Sequence, residues 1–157
     1  RCRYSPCWAV MARCELWNAD GPTLMRPRDC PLSCIAHDSN KPGRVAEPTW
    51  VLHATPEWSA AHLDAAPDDV AHELLEVWAR LGAPRVGISS AHRWLHAMAE
   101  TPLGRPCLIS AERRIGACGD WCIAPRIESA FDSGLALARE IRRLETDADP
   151  HERASAQ

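Results

Sequence analysis

Cys118-Gly119-Asp120-Trp121-Cys122-Ile123-Ala124-Pro125-Arg126-Ile127-Glu128 joins a short apolar segment, Ile115 to Gly119, to the longest amphipathic pattern in the chain. The segment before it is expected as a buried strand. After it, Ile127, Ala130, Phe131, Gly134, Leu137, Ala138, Ile141 and Leu144 recur at steps of three and four, which draws one apolar stripe along a helix of about five turns. Glu128, Asp132, Arg139, Glu140 and Arg143 fall on the other side. A strand that ends in Gly-Asp and turns into a helix aims free backbone N–H groups, and the partial positive charge of the helix end, at a ligand oxygen or an electron-rich ring edge.

Upstream, Cys7 to Leu16 has the pattern of a strand, and Asp20-Gly21-Pro22 supplies a turn within 18–22. Leu32 to Ala36 is a second short strand, and His37-Asp38-Ser39-Asn40-Lys41-Pro42-Gly43-Arg44 is a polar loop carrying the only lysine. Trp50 to Ala54 is a strand of bulky residues, and Thr55-Pro56 is an N-cap followed by proline at the first helical position. Pro67-Asp68-Asp69 starts a second helix, with Val70, Leu74, Val77, Trp78 and Leu81 on one face and Gly82 placed to stop it. From Arg85 to Met98 the chain is extended, and alternation sets His92, Trp94 and His96 opposite Arg93, Leu95 and Ala97. Cys107 to Ile109 is a further short strand, and Glu145 to Gln157 is a frayed polar tail.

With 157 residues and 46% hydrophobic content the chain can build a globular core, and a net charge of -3 gives no electrostatic case for nucleic acid or a membrane surface. No stretch approaches the roughly 20 apolar residues that span a bilayer. The chain starts at Arg1 without a signal segment, so an internal fragment of a cytoplasmic protein is the expectation. Eight cysteines are an even number, yet this length and helix content do not need a disulfide framework. The separations Cys30/Cys34 and Cys118/Cys122 differ from the two-residue gaps of zinc knuckles, so free thiols and no bound metal are expected. A small metal-binding module using Cys118, Cys122 and histidines is the rival reading.

The segment from Cys118 to Cys122, continued by Arg126-Ile127-Glu128-Ser129-Ala130-Phe131 and Ser133-Gly134, resembles the C-terminal flavin-binding segment of bacterial renalase-like proteins, within the flavin-containing amine oxidase superfamily. Cys7-Trp8-Ala9, Asn40-Lys41-Pro42-Gly43-Arg44, Trp50-Val51-Leu52-His53-Ala54-Thr55 with Trp58-Ser59, and His92-Arg93-Trp94 fit the same group in the same order, from about Pro6 to Leu144. A Gly-Asp before a helix is weak alone; five motifs in register are strong.

The resemblance implies an α+β chain. Residues 1–112 would belong to a substrate domain with a mostly antiparallel sheet and flanking helices, and 113–145 would complete a Rossmann-like FAD-binding domain whose N-terminal part is absent. Residues 146–157 would be the tail. By the same resemblance Gly119, Asp120, Arg126, Ile127 and Glu128 would bind FAD. Gly119 would let the backbone approach the pyrophosphate or ribityl chain, Asp120 would accept from a ribityl hydroxyl, and the helix end would face the ring. Trp50, His53, Arg93 and Trp94 would line the substrate cavity, and no catalytic acid or base is assigned. The implied activity is hydride transfer from an amine or reduced nicotinamide-like small molecule to flavin. Two features depart from the family: no G-x-G-x-x-G loop stands in this sequence, and Pro125 occupies a position where glycine is expected. A truncated, non-catalytic piece is therefore the other alternative.

Overall fold

The computed structural model describes residues 1–15, 22–45 and 47–148, the last two by their backbone alone. Most of the turn expected over 18–22, the end of the first strand at Leu16, and the tail from 149 onward lie outside them. The fold is α+β, with a mostly antiparallel sheet and four helices among the described residues, which is the class expected at that level. Packing divides the chain into two units: Ser5–Ala97, and Arg1–Tyr4 with Met98–Gln157.

The unit Ser5–Ala97 holds most of a five-stranded sheet built from β1 (Arg3–Cys14), β2 (Leu24–Met25), β3 (Leu32–His37), β4 (Thr49–Ala54) and β5 (Val86–Thr101). Its order is β2-β3-β4-β1-β5. Antiparallel register sets Val10 against Leu52 and Ile35 against Leu52, so alternate residues of three strands share one face. That face is covered by α2 (Pro67–Arg80), whose Val70, Leu74, Val77 and Trp78 join Trp8, Val10, Ile35, Trp50 and Leu52 in a single core. Burying each such side chain is worth about 1.5–3 kcal/mol.

Local signals set the helix ends. The Thr55 hydroxyl accepts the Trp58 N–H at 3.2 Å at the start of α1 (Pro56–Ala61). Ser59 in α1 accepts the Trp8 N–H at 3.0 Å, and the Trp8 indole N–H donates to the His62 carbonyl at 3.0 Å, which ties this helix to β1. Gly82, at φ 87, supplies the left-handed residue that stops α2. Leu81 was expected on the buried face and is exposed instead, because it caps the helix where the backbone has left helical geometry.

The second unit contains the hairpin β6 (Leu108–Ser110) and β7 (Ile115–Ala117), the short α3 (Asp120–Ile123), and α4 (Ile127–Ala148). Two expectations are corrected here. The strand expected as buried over Ile115–Gly119 ends at Ala117, and Ile115 is 63% exposed, because β7 pairs with β6 alone. The helix starts at Ile127 as expected, but its buried side is rotated away from the expected stripe. Ser129 and Ser133 are buried while Ile127, Phe131 and Ile141 are exposed. The cause is local: Gly116 lacks a side chain, and a Cβ there would stand 2.7 Å from a Leu137 methyl, so Leu137 seats the helix on the hairpin. Ser133 is tolerated inside because its hydroxyl is doubly bonded, as the site shows.

Candidate functional site

In the turn between β7 and α4, Gly119 and Asp120 open α3 rather than the long helix as expected, while Arg126, Ile127 and Glu128 stand at the start of α4; all five lie in one unit. The Ser133 hydroxyl accepts the Gly119 N–H at 3.0 Å and donates to the Pro106 carbonyl at 2.5 Å. It thereby fixes the turn against both the loop before β6 and the body of α4. On the side where a Gly119 Cβ would stand, the Trp121 indole nitrogen sits only 2.5 Å away, so glycine here makes room for tryptophan. The Asp120 carboxylate accepts the Trp121 N–H at 2.8 Å through Oδ1 and keeps Oδ2 unpartnered among the described residues.

Arg126, Ile127 and Glu128 are exposed at the amino end of α4. The first helical N–H groups have no acceptor within the helix, and those of Ile127 and Glu128 find none elsewhere among the described residues. With the positive end of the helix dipole they form a patch suited to an electron-rich edge. These observations are a partial fit to FAD: the helix-end donors and Asp120 Oδ2 are open to a ring edge and a ribityl hydroxyl, whereas the Gly119 N–H already has its acceptor.

The four substrate-side candidates lie in the unit Ser5–Ala97, on two faces of its sheet. Trp50 belongs to the core, flat against His37 with ring centroids 4.1 Å apart and tilted against Trp78 at 5.3 Å. Arg93 lies over the Trp8 ring at 5.7 Å, on that same side. His53 alternates to the opposite face, in register with Ala9 and Cys34, and strand alternation sends Trp94 away from Arg93. The Trp94 ring meets His92 edge-on at 4.5 Å and is largely exposed. The strand pattern therefore groups Trp50 with Arg93, and His53 with Trp94.

The His53 imidazole is held below its ordinary range, first because neighbouring atoms strip part of its hydration and second because the Lys41 ammonium opposes its charge. Lys41 is itself held at 2.6 Å by Asp38, whose carboxyl that bond keeps below the usual carboxylate range. Burial pushes the Cys7 thiol up and raises Cys14 to about 11, so neither is a nucleophile near neutral pH.

A groove of about 690 Å³ lies between the β6–β7 hairpin and the last turns of α4, lined by Ile109, Ile115, Ile141, Leu144, Arg114 and Glu145 among others. None of the cofactor-binding or substrate-side candidates named from the sequence lines it. All eight cysteines are free, and among the described residues no group of three or more His, Cys, Asp or Glu side chains is placed to hold a metal ion. Among the described residues, no helix is long and apolar enough to cross a membrane. Ser133 is the site residue that sequence reasoning passed over. A hydroxyl recurring where a helix's buried side falls was the signal that could have found it. No family model matches the sequence.

Proposed function

We propose that this chain is the C-terminal portion of an FAD-dependent oxidoreductase of the renalase-like kind, working in the cytoplasm with a dinucleotide-binding half. Its substrate is an amine or reduced nicotinamide-like small molecule. The observation that carries this reading is the open amino end of α4, with the Ile127 and Glu128 N–H groups lacking acceptors among the described residues. When bound, FAD supplies the hydride acceptor. The chain's part is electrostatic: the Ile127 and Glu128 N–H groups, with Arg126 beside them, hold negative charge at the ring edge, and Asp120 Oδ2 orients a ribityl hydroxyl. His53, on the face it shares with Trp94, is the neutral imidazole on the substrate side. Eight free thiols accord with a reducing compartment.

The test joins this chain to the dinucleotide-binding half of a renalase-like flavoprotein and titrates FAD, reading flavin absorbance and fluorescence quenching. Ile127→Pro removes one N–H at a helix position that accepts proline, and Asp120→Ala removes the carboxylate. Each is expected to weaken FAD about tenfold, about 1.4 kcal/mol, with unchanged circular dichroism. Flavin that binds equally well to both variants, or never binds the joined protein, refutes the reading. Stoichiometric zinc in its place would favour the metal module.

A further inference from the structure

The long helix α4 carries two apolar sides. One, with Ala130, Leu137 and Leu144, is at least partly buried within its own unit. The other is open: Ile127 is 88%, Phe131 67% and Leu135 41% exposed, and Ala138 continues the strip. At about 100° per residue these four positions lie on one side of the helix. A surface helix normally turns charged residues to water there, and large apolar side chains in a row mark a contact surface.

The charges along this strip identify the occupant. Glu128 and Asp132 flank its first half, and Arg139, Arg142 and Arg143 flank its second. A helix so polarised is complementary to itself in reverse. In one antiparallel register Asp132 faces the second copy's Arg139, and Glu128 faces the second copy's Arg142 and Arg143. Leu135 then meets its counterpart across the middle, and Phe131 comes beside the second copy's Ala138. Asp132 and Arg139 form no ion pair within the chain among its described residues. Flanking charges of this kind set partner and orientation in paired helices.

We propose that two copies of this chain associate through α4, antiparallel, with Phe131, Leu135 and Ala138 at the contact and Asp132–Arg139 pairs on its flank. The inference does not depend on the flavin reading. The N–H groups at the start of α4 point along the helix axis, so a lateral contact leaves them open. The apolar strip is short beside the roughly 1,200 Å² or more of a stable specific interface, so the equilibrium lies in the micromolar range.

Analytical ultracentrifugation of the full chain from 1 to 200 micromolar tests this, about the span over which a micromolar dimer forms. A monomer–dimer equilibrium is expected. Phe131→Asp abolishes it, while Asp132→Arg and Arg139→Asp each weaken it at least tenfold. The double variant carrying both reversals regains the original association, because the pairing charges are exchanged and not lost. Circular dichroism of each variant separates loss of contact from loss of helix, and rescue by the double variant holds only if the helix is intact. A chain that stays monomeric over the whole range overturns the proposal. So does a dimer indifferent to Phe131→Asp, or a double variant weaker than either single one. Association with a dinucleotide-binding half through this strip, with no self-association, would likewise assign the surface to a different occupant.

Discussion

Both ring nitrogens of His37 are buried without a hydrogen-bond partner, while one face of the ring lies flat on Trp50 at 4.1 Å. A neutral imidazole has one donor and one acceptor, and leaving such a group unsatisfied in the interior costs about 1–3 kcal/mol. Charging it there costs more, so burial holds its pKa below the ordinary value. The consequence for stability has a definite sign. As pH falls through about 6.5 the unfolded chain takes up a proton that the folded chain refuses, so stability declines from there down to the lower folded-state pKa and is flat above. His37→Phe keeps the stack on Trp50 and removes both orphaned atoms. It is expected to stabilise the protein by about 1–2 kcal/mol at pH 7.5 and to flatten the decline between pH 7 and 5. His53, also held below its ordinary value, retains its own share of that slope. Urea unfolding at the two ends of this range is the measurement, and a variant that is less stable at both ends would contradict the account.

At the level of elements, one hydroxyl joins the turn after β7 to α4 and to the loop before β6. Ser133→Ala removes the acceptor of the Gly119 N–H and the donor to the Pro106 carbonyl at a fully buried position. Its expected cost is about 1–3 kcal/mol, concentrated in the turn. Hydrogen exchange of a peptide covering the turn reads it directly: the Gly119 amide should lose protection while those of β4 keep theirs, and unchanged protection at Gly119 would sink the assignment. The same elements show what the sequence could and could not report. Helix starts at Pro56, Pro67 and Ile127 were legible, because caps, prolines and the first apolar step act within a few residues. The short helix α3, which stands between Gly119-Asp120 and α4, was not legible, because four residues are too few to show a repeat. Nor was orientation. Periodicity in α4 blended two apolar sides into one stripe, since a 3.6-residue repeat records that a side is apolar and not which neighbour it meets. Trp50 illustrates the same limit on a strand: its bulk suits a core or a ligand cavity, and only the stack of His37 and α2 against it decides for the core.

Over the whole molecule, burial is unevenly shared. Every member of the main apolar cluster, from Trp8 to Trp78, lies within Ser5–Ala97, whereas the described part of the other unit buries fully only Ala99 and Cys122 among its apolar residues. Apolar burial is the dominant favourable term, so the two units should not open with equal difficulty. Leu74, completely buried in α2, probes the first: Leu74→Ala is expected to cost about 2–5 kcal/mol, the transfer term plus a cavity within the main apolar cluster. In native-state hydrogen exchange the amides of β1, β4 and α2 should exchange only through the largest opening, and Leu74→Ala should lower their protection by that full amount. The amides of β6 and β7, in a two-stranded hairpin without further strand neighbours, should exchange through smaller openings and respond little to the same substitution. Running the comparison in the Phe131→Asp background keeps association through α4 from adding protection of its own. If β6 and β7 proved as slow to exchange as β4, and fell equally with Leu74→Ala, the chain would unfold as one cooperative body and the asymmetry of its core would have no energetic consequence.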